Sequence, residues 1–300
     1  MKANRKYILL FGIIAVVLVA GIAICFSQMN KGNWDIAYYE TLDDIYSIKE
    51  VENDKVEGVR TYKIMYKSDD CIVASYLSIP DGCLENREKR PCIIYNRGGN
   101  RARLGVLAPS EPATVSAKLN TIVFASQYRG VDGGTGKDEF GGAELQDVIK
   151  LIDLCEEFSF VDMDEIYMWG GSRGGMMTYM AIRQDTRIKK AVVSSGLADA
   201  FMNYAERPDM KEVYLSCVGG TPEQMPEEYE KRSVTYWADE LKCPVLIIHS
   251  KGDPRVSYAQ VEKLVQCLED AGKEYKLVTY EDDLHESHPE DWEIIREWIS

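Results

Sequence analysis

The sequence predicts an α/β fold with a mostly parallel central sheet and helices on both faces. Three observations lead there. From residue 91 onward, short apolar runs of strand length alternate with stretches of helical period, the rhythm of a parallel sheet. One such run, Ile166–Trp169, leads directly into Gly170-x-Ser172-x-Gly174 and then into a helix-compatible stretch, Met176–Gln184. Further on, an acid (Asp253) and a histidine (His285) each fall just past the end of a later run. With 300 residues, 45% hydrophobic and 28% charged, the chain can bury one sizeable core. Its net charge of −14 leaves no basic face to neutralise phosphates, which excludes a nucleic-acid partner.

In chain order, Lys2, Arg5 and Lys6 precede Tyr7–Phe26, an uncharged apolar run of 20 residues. At about 1.5 Å per residue such a run spans about 30 Å, one bilayer core. It exceeds the apolar region of a cleavable signal, so residues 1–27 are expected to form an uncleaved signal-anchor with the basic end in the cytoplasm. A secreted form after signal cleavage is the alternative. Residues 28–59 read as a polar, acidic stalk and extension, and 60–300 as the folded domain. Arg60–Tyr66 and Cys71–Ile79 alternate about Ser68-Asp-Asp70, predicting an antiparallel hairpin. Pro91–Tyr95 and Thr121–Ser126 read as buried strands, and Glu144–Phe158 as an amphipathic helix. Ile188–Ser194, Val245–His249 and Tyr275–Tyr280 continue the strands. Helices are expected over Val256–Ala271, with Gly272 as its C-terminal glycine, and over Pro289–Ile299. Residues 197–242, rich in charge and aromatic rings, are far longer than an ordinary connection and predict an inserted helical lid.

The chemistry is organised around Ser172. In a strand–turn–helix setting, Gly-x-Ser-x-Gly is the nucleophile elbow of α/β-hydrolases, where small neighbours allow a sharp, strained turn. Such a serine requires a base and an acid that orients it, in the chain order serine, acid, histidine. Asp253 is the acid and His285 the base; His288 is a competing base, and His249 is expected to pack beneath the acid's loop. The oxyanion formed on attack needs two donors. One is the N–H of Arg173. The other falls in the loop Asn96-Arg97-Gly98-Gly99, whose glycines permit close approach. The eight cysteines show no C-x-x-C pair and no zinc-like spacing, and no disulfide is assigned.

Gly170-Gly-Ser172-Arg-Gly-Gly175, Pro244–Val256 with its Gly252-Asp253-Pro-Arg-Val256, and His285 resemble the catalytic domain of the prolyl oligopeptidase family of serine hydrolases. Tyr128-Arg-Gly130, and Gly141-Gly142 with Asp147, are similar to it as well. The resemblance runs from about Arg60 to Ser300 and implies a triad of Ser172, Asp253 and His285. It implies oxyanion positions at Arg173, Arg97 and Gly98. The chain departs from the family's usual pattern in having Arg173 after the serine, where its charge would meet an anionic group on a substrate, and in leaving no room for a β-propeller. The resulting expectation is a membrane-anchored extracytoplasmic serine hydrolase that cleaves a peptide or ester bond in a small molecule or short peptide. A carboxylesterase, and a non-catalytic binding domain on the same fold, are the alternatives. Neither metal nor organic cofactor is called for. Oligomeric state stays open, with the lid aromatics offering a dimer contact.

Overall fold

The computed structural model describes residues 33–100 and 106–300. The predicted anchor Tyr7–Phe26 lies outside them, and no described helix is long and apolar enough to cross a membrane. Among the described residues, nine strands form one sheet in the order β1-β2-β3-β5-β4-β6-β7-β8-β9. β1 (Ile45–Val51), β2 (Val59–Ser68) and β3 (Cys71–Pro80) run antiparallel, and β3 joins β5 (Ile122–Ser126) antiparallel as well. From there β5, β4 (Arg90–Asn96), β6 (Val161–Gly171), β7 (Lys190–Ser194), β8 (Val245–Ser250) and β9 (Tyr275–Tyr280) are all parallel.

Burial of both sheet faces explains why the central strands read as unbroken apolar runs. In β4, Cys92 and Ile94 enter one core while Ile93 between them enters the other. The first core takes α3 (Leu145–Glu157), α4 (Arg173–Gln184) and α8 (Tyr258–Asp270); the second takes α2 (Ser110–Leu119) and α9 (Asp291–Ile299). A single turn, α1 (Cys83–Asn86), follows β3. The expected insertion 197–242 folds as α5 (Ala200–Glu206), α6 (Lys211–Cys217) and α7 (Pro226–Lys231), with one short 3-10 turn between α5 and α6 and two after α7.

Two expectations need correction. Residues 45–51, read as part of the stalk and extension, are an edge strand of the sheet, so the predicted hairpin is a three-stranded antiparallel unit. A register shift between Ile45 and Ser47 breaks the alternation that would have marked this strand. The helix α2 had no predicted counterpart, because its buried positions are held by Pro112, Ala113 and Ser116 beside Val115 and Leu119, a weak apolar stripe. The seven described cysteines are free; Cys92 and Cys155 are core residues whose sulfurs lie 3.8 Å apart.

The chain leaves β4 toward β5 on one side of the sheet and returns to β6 on the other. The loops after β4 and β6 therefore part at a topological switch point, where α/β sheets open a crevice.

Candidate active site

Ser172 occupies that crevice, between β6 and α4. Its backbone, at φ 54° and ψ −122°, is one that residues with side chains rarely adopt. The turn is held because Ser172 N–H donates to Ser194 O at 3.0 Å and Leu197 N–H donates to Ser172 O at 3.0 Å. The flanking glycines answer to close packing. A Cβ on Gly170 would lie 2.1 Å from Gly174 O, and one on Gly174 would lie 1.9 Å from Asn96 O. The motif spacing is thus the imprint of two backbone approaches, one of them to the end of β4.

Asp253 follows β8 and is 6% exposed. Its Oδ1 accepts the N–H groups of Arg255 at 2.8 Å and Val256 at 3.1 Å. His285, on the loop after β9, donates Nδ1–H to Oδ2 of Asp253 at 2.7 Å, with Oδ1 at 2.9 Å. Burial works to raise the Asp253 carboxyl, but His285 and the two backbone donors outweigh it and hold the group below the usual carboxylate range. Gly252 N–H donates to Asp282 O at 2.8 Å, tying the acid's loop to the histidine's. A cavity of about 610 Å³ is lined by both Ser172 and His285, with Gly98, Arg173, Leu197 and Met210 among its other walls. Among the described residues no hydrogen bond joins the Ser172 hydroxyl to His285; the two side chains share the cavity.

The other histidines are differently engaged. His249 is buried and donates Nε2–H to Val256 O at 2.9 Å, beneath the acid's loop. Burial lowers its pKa and favours the neutral ring. His288 stacks on Tyr280 with ring centroids 3.6 Å apart and donates Nε2–H to Asp282 Oδ2 at 2.8 Å. It bonds to a different acid from the one that holds His285.

Gly98 packs against the elbow: a Cβ there would lie 3.4 Å from Ser172 Cβ. Arg173 is the first residue of α4, and first-turn N–H groups lack a partner within the helix. Both arginine side chains are buried, and the Arg173 charge is already neutralised by Asp138 and Glu144, which corrects the expectation that it is free to meet a substrate anion. Arg173 is 2% exposed and donates to Asp138 Oδ1 at 2.7 Å, Asp138 Oδ2 at 2.8 Å and Glu144 Oε1 at 2.6 Å. Burial pushes the Asp138 carboxyl up, but the Arg173 charge overcomes this and leaves it below its ordinary value. Arg97, also 2% exposed, donates to Gln127 O and Gly98 O. Asp138, Glu144 and Tyr128 complete this layer, and sequence reasoning assigned none of them a role there. Glu144, two residues past Gly141-Gly142 at the start of a helix, was the available signal. Arg129 and Asp147 form a buried ion pair at 2.7 Å that fastens the loop after β5 to α3.

The sequence profile of the prolyl oligopeptidase family matches residues 110–297. The chain belongs to the prolyl oligopeptidase family. It is 32% identical over 215 residues to the uncharacterized peptidase YtmA of Bacillus subtilis, covering 70% of this chain and 81% of that protein. It is 26% identical to the uncharacterized peptidase YuxL of the same organism, covering 74% of this chain but 35% of YuxL. Among solved structures, a puromycin-hydrolyzing peptidase of Mycobacterium tuberculosis superposes with a TM-score of 0.59 at 25% identity, over 70% of this chain and 33% of that one. The chain therefore spans about a third of the longer relatives it matches. The acetyl xylan esterase of Paenibacillus sp. R4, at 18% identity and a TM-score of 0.67, shares the fold over 84% of this chain and 87% of its own. As a member of the family, the chain is a serine hydrolase with peptidases and esterases as its neighbours.

Proposed function

We propose that the chain hydrolyses the acyl bond of a small ester or short peptide through an acyl-enzyme on Ser172. The observation that carries this reading is the Asp253–His285 pair, which leaves the second ring nitrogen of His285 available on a cavity shared with Ser172. Ser172 Oγ attacks the carbonyl carbon and its proton passes to His285 Nε2. The imidazolium is stabilised by Asp253, whose low pKa keeps it ionised. The carbonyl oxygen, now anionic, receives the N–H groups of Gly98 and Arg173. His285 returns the proton to the departing alcohol or amine. Water then attacks the acyl-serine by the same route, giving the acid and the free serine. The cavity volume suits a small molecule or a short peptide segment.

The test is labelling of the full-length protein with a fluorophosphonate probe, which reacts with activated serines. Wild type is expected to label, and Ser172→Ala and His285→Ala are expected not to. A folded wild type that stays unlabelled would sink the mechanism and favour a non-catalytic role. Turnover of acetyl esters measured beside aminoacyl amides then separates esterase from peptidase.

The basic residues Lys2, Arg5 and Lys6 ahead of Tyr7–Phe26 support a single-pass anchor with the hydrolase outside the cytoplasm. The protein is then expected to stay with membranes through alkaline carbonate washing and to be digested by protease added to intact cells. Release by the wash, or protection until the cells are lysed, would overturn that placement.

A further inference from the structure

We propose that Tyr128 is a positioning residue for the oxyanion-binding loop, acting through the peptide that joins Arg97 to Gly98; this rests on Ser172 being the nucleophile as above. The Tyr128 hydroxyl donates to Arg97 O at 3.0 Å. That carbonyl belongs to the same peptide unit as the Gly98 N–H. A trans peptide is planar and its C=O and N–H point in opposite directions. Holding the carbonyl from one side therefore aims the N–H on the other, and Gly98 lies against Ser172. The bond also polarises the amide, and hydrogen bonds in a chain strengthen one another where the surroundings exclude water.

The next peptide is held too. Arg97 Nη1 donates to Gly98 O at 3.1 Å, while its Nε and Nη2 reach Gln127 O at 3.1 and 2.8 Å. Both carbonyls that flank the Gly98 Cα are thereby fixed, one by the tyrosine and one by the arginine stacked on it. The guanidinium carbons of Arg97 and Arg173 lie 4.7 and 4.8 Å from the centre of the Tyr128 ring. One ring thus meets the side chains of both residues whose backbones bound the oxyanion site. Tyr128 itself is 0% exposed and sits at φ 62°, a left-handed conformation costly for an aromatic residue, with its N–H bound to Ser126 Oγ at 3.0 Å. Burial raises its phenol, which keeps the hydroxyl protonated and so a donor to Arg97 O.

Tyr128→Phe tests this, because it keeps the ring and removes only the bond. With p-nitrophenyl acetate as substrate and activity counted per fluorophosphonate-labelled site, kcat and kcat/KM are expected to fall together by about tenfold. That is less than the loss from deleting an oxyanion donor outright, because the hydroxyl acts one bond removed. KM is expected to stay within about twofold, since the interaction strengthens only when the oxyanion forms. A general loosening of the fold would instead lower the fraction of sites labelled and leave each site's rate unchanged. A labelled variant whose kcat per site lies within about twofold of wild type overturns the proposal while leaving the Ser172 mechanism standing. Absence of labelling in wild type overturns both. If the phenylalanine variant does not fold, 3-fluorotyrosine at position 128 supplies a stronger donor of nearly the same size. Its kcat per site should then exceed that of wild type, and an unchanged value counts against Tyr128.

Discussion

Replacing Asp253 with asparagine is expected to lower kcat by about four orders of magnitude while the protein stays folded. The reason lies in which oxygen is already committed. Oδ1 of Asp253 accepts from the N–H groups of Arg255 and Val256, so an asparagine must present its carbonyl oxygen there. Its NH₂ then faces His285 Nδ1, where a donor meets the atom that now donates. The ring is forced to carry its proton on Nε2 and can no longer take one from Ser172. Steady-state kinetics on Asp253→Asn, beside its thermal unfolding, check this. A loss of tenfold or less in a well-folded variant would show that the carboxylate is not orienting the base.

Arg173→Met is expected to act on stability. The guanidinium neutralises Asp138 and Glu144, 3% and 0% exposed, and its removal leaves two buried carboxylates without their ion-pair partner. Breaking a buried ion pair from one side costs about 3–5 kcal/mol, which for a domain of this size lowers Tm on the order of 10 °C. The backbone N–H at position 173 survives the change. Differential scanning fluorimetry should show the shift, and preference between neutral and anionic acyl esters should stay as in wild type. An unchanged Tm with altered charge preference would restore the arginine as a substrate contact.

What could be read from the sequence followed from local constraint. Gly170 and Gly174 announce the elbow because two backbones approach there too closely for a Cβ. The parallel strands announce themselves because burial on both faces leaves no exposed position, as in β8, buried throughout and apolar from Val245 to Ile248. The candidate acid and base were legible from their order and their place after strands. β1 was not, because a bulge interrupts its alternation, and α2 was not, because small side chains and prolines blur its stripe. The roles of Arg173 and Tyr128 were hidden for another reason. Their partners are brought to them by the fold: Asp138 lies 35 positions from Arg173, and Arg97 lies 31 from Tyr128. An arginine next to a serine looks the same in sequence whether it faces a ligand or a buried carboxylate.

The segment 197–242 is rooted at both ends in the body of the protein. Leu197 N–H is bound to the carbonyl of Ser172, Ala198 and Asp199 N–H to Gln260 Oε1, and Lys242 N–H to Ile182 O. Between those roots, Asn203, Arg207 and Met210 contribute to the cavity wall, while Ser172, Asp253 and His285 lie outside the segment. The middle of the insertion is thus both a wall of the cavity and a brace for the acid's loop, because Asn203 Nδ2 and Arg207 Nη1 donate to Arg255 O at 3.3 and 2.7 Å. Changes in its helices reshape what is admitted, and changes at Asn203 or Arg207 also reach the loop whose Arg255 N–H steadies Asp253.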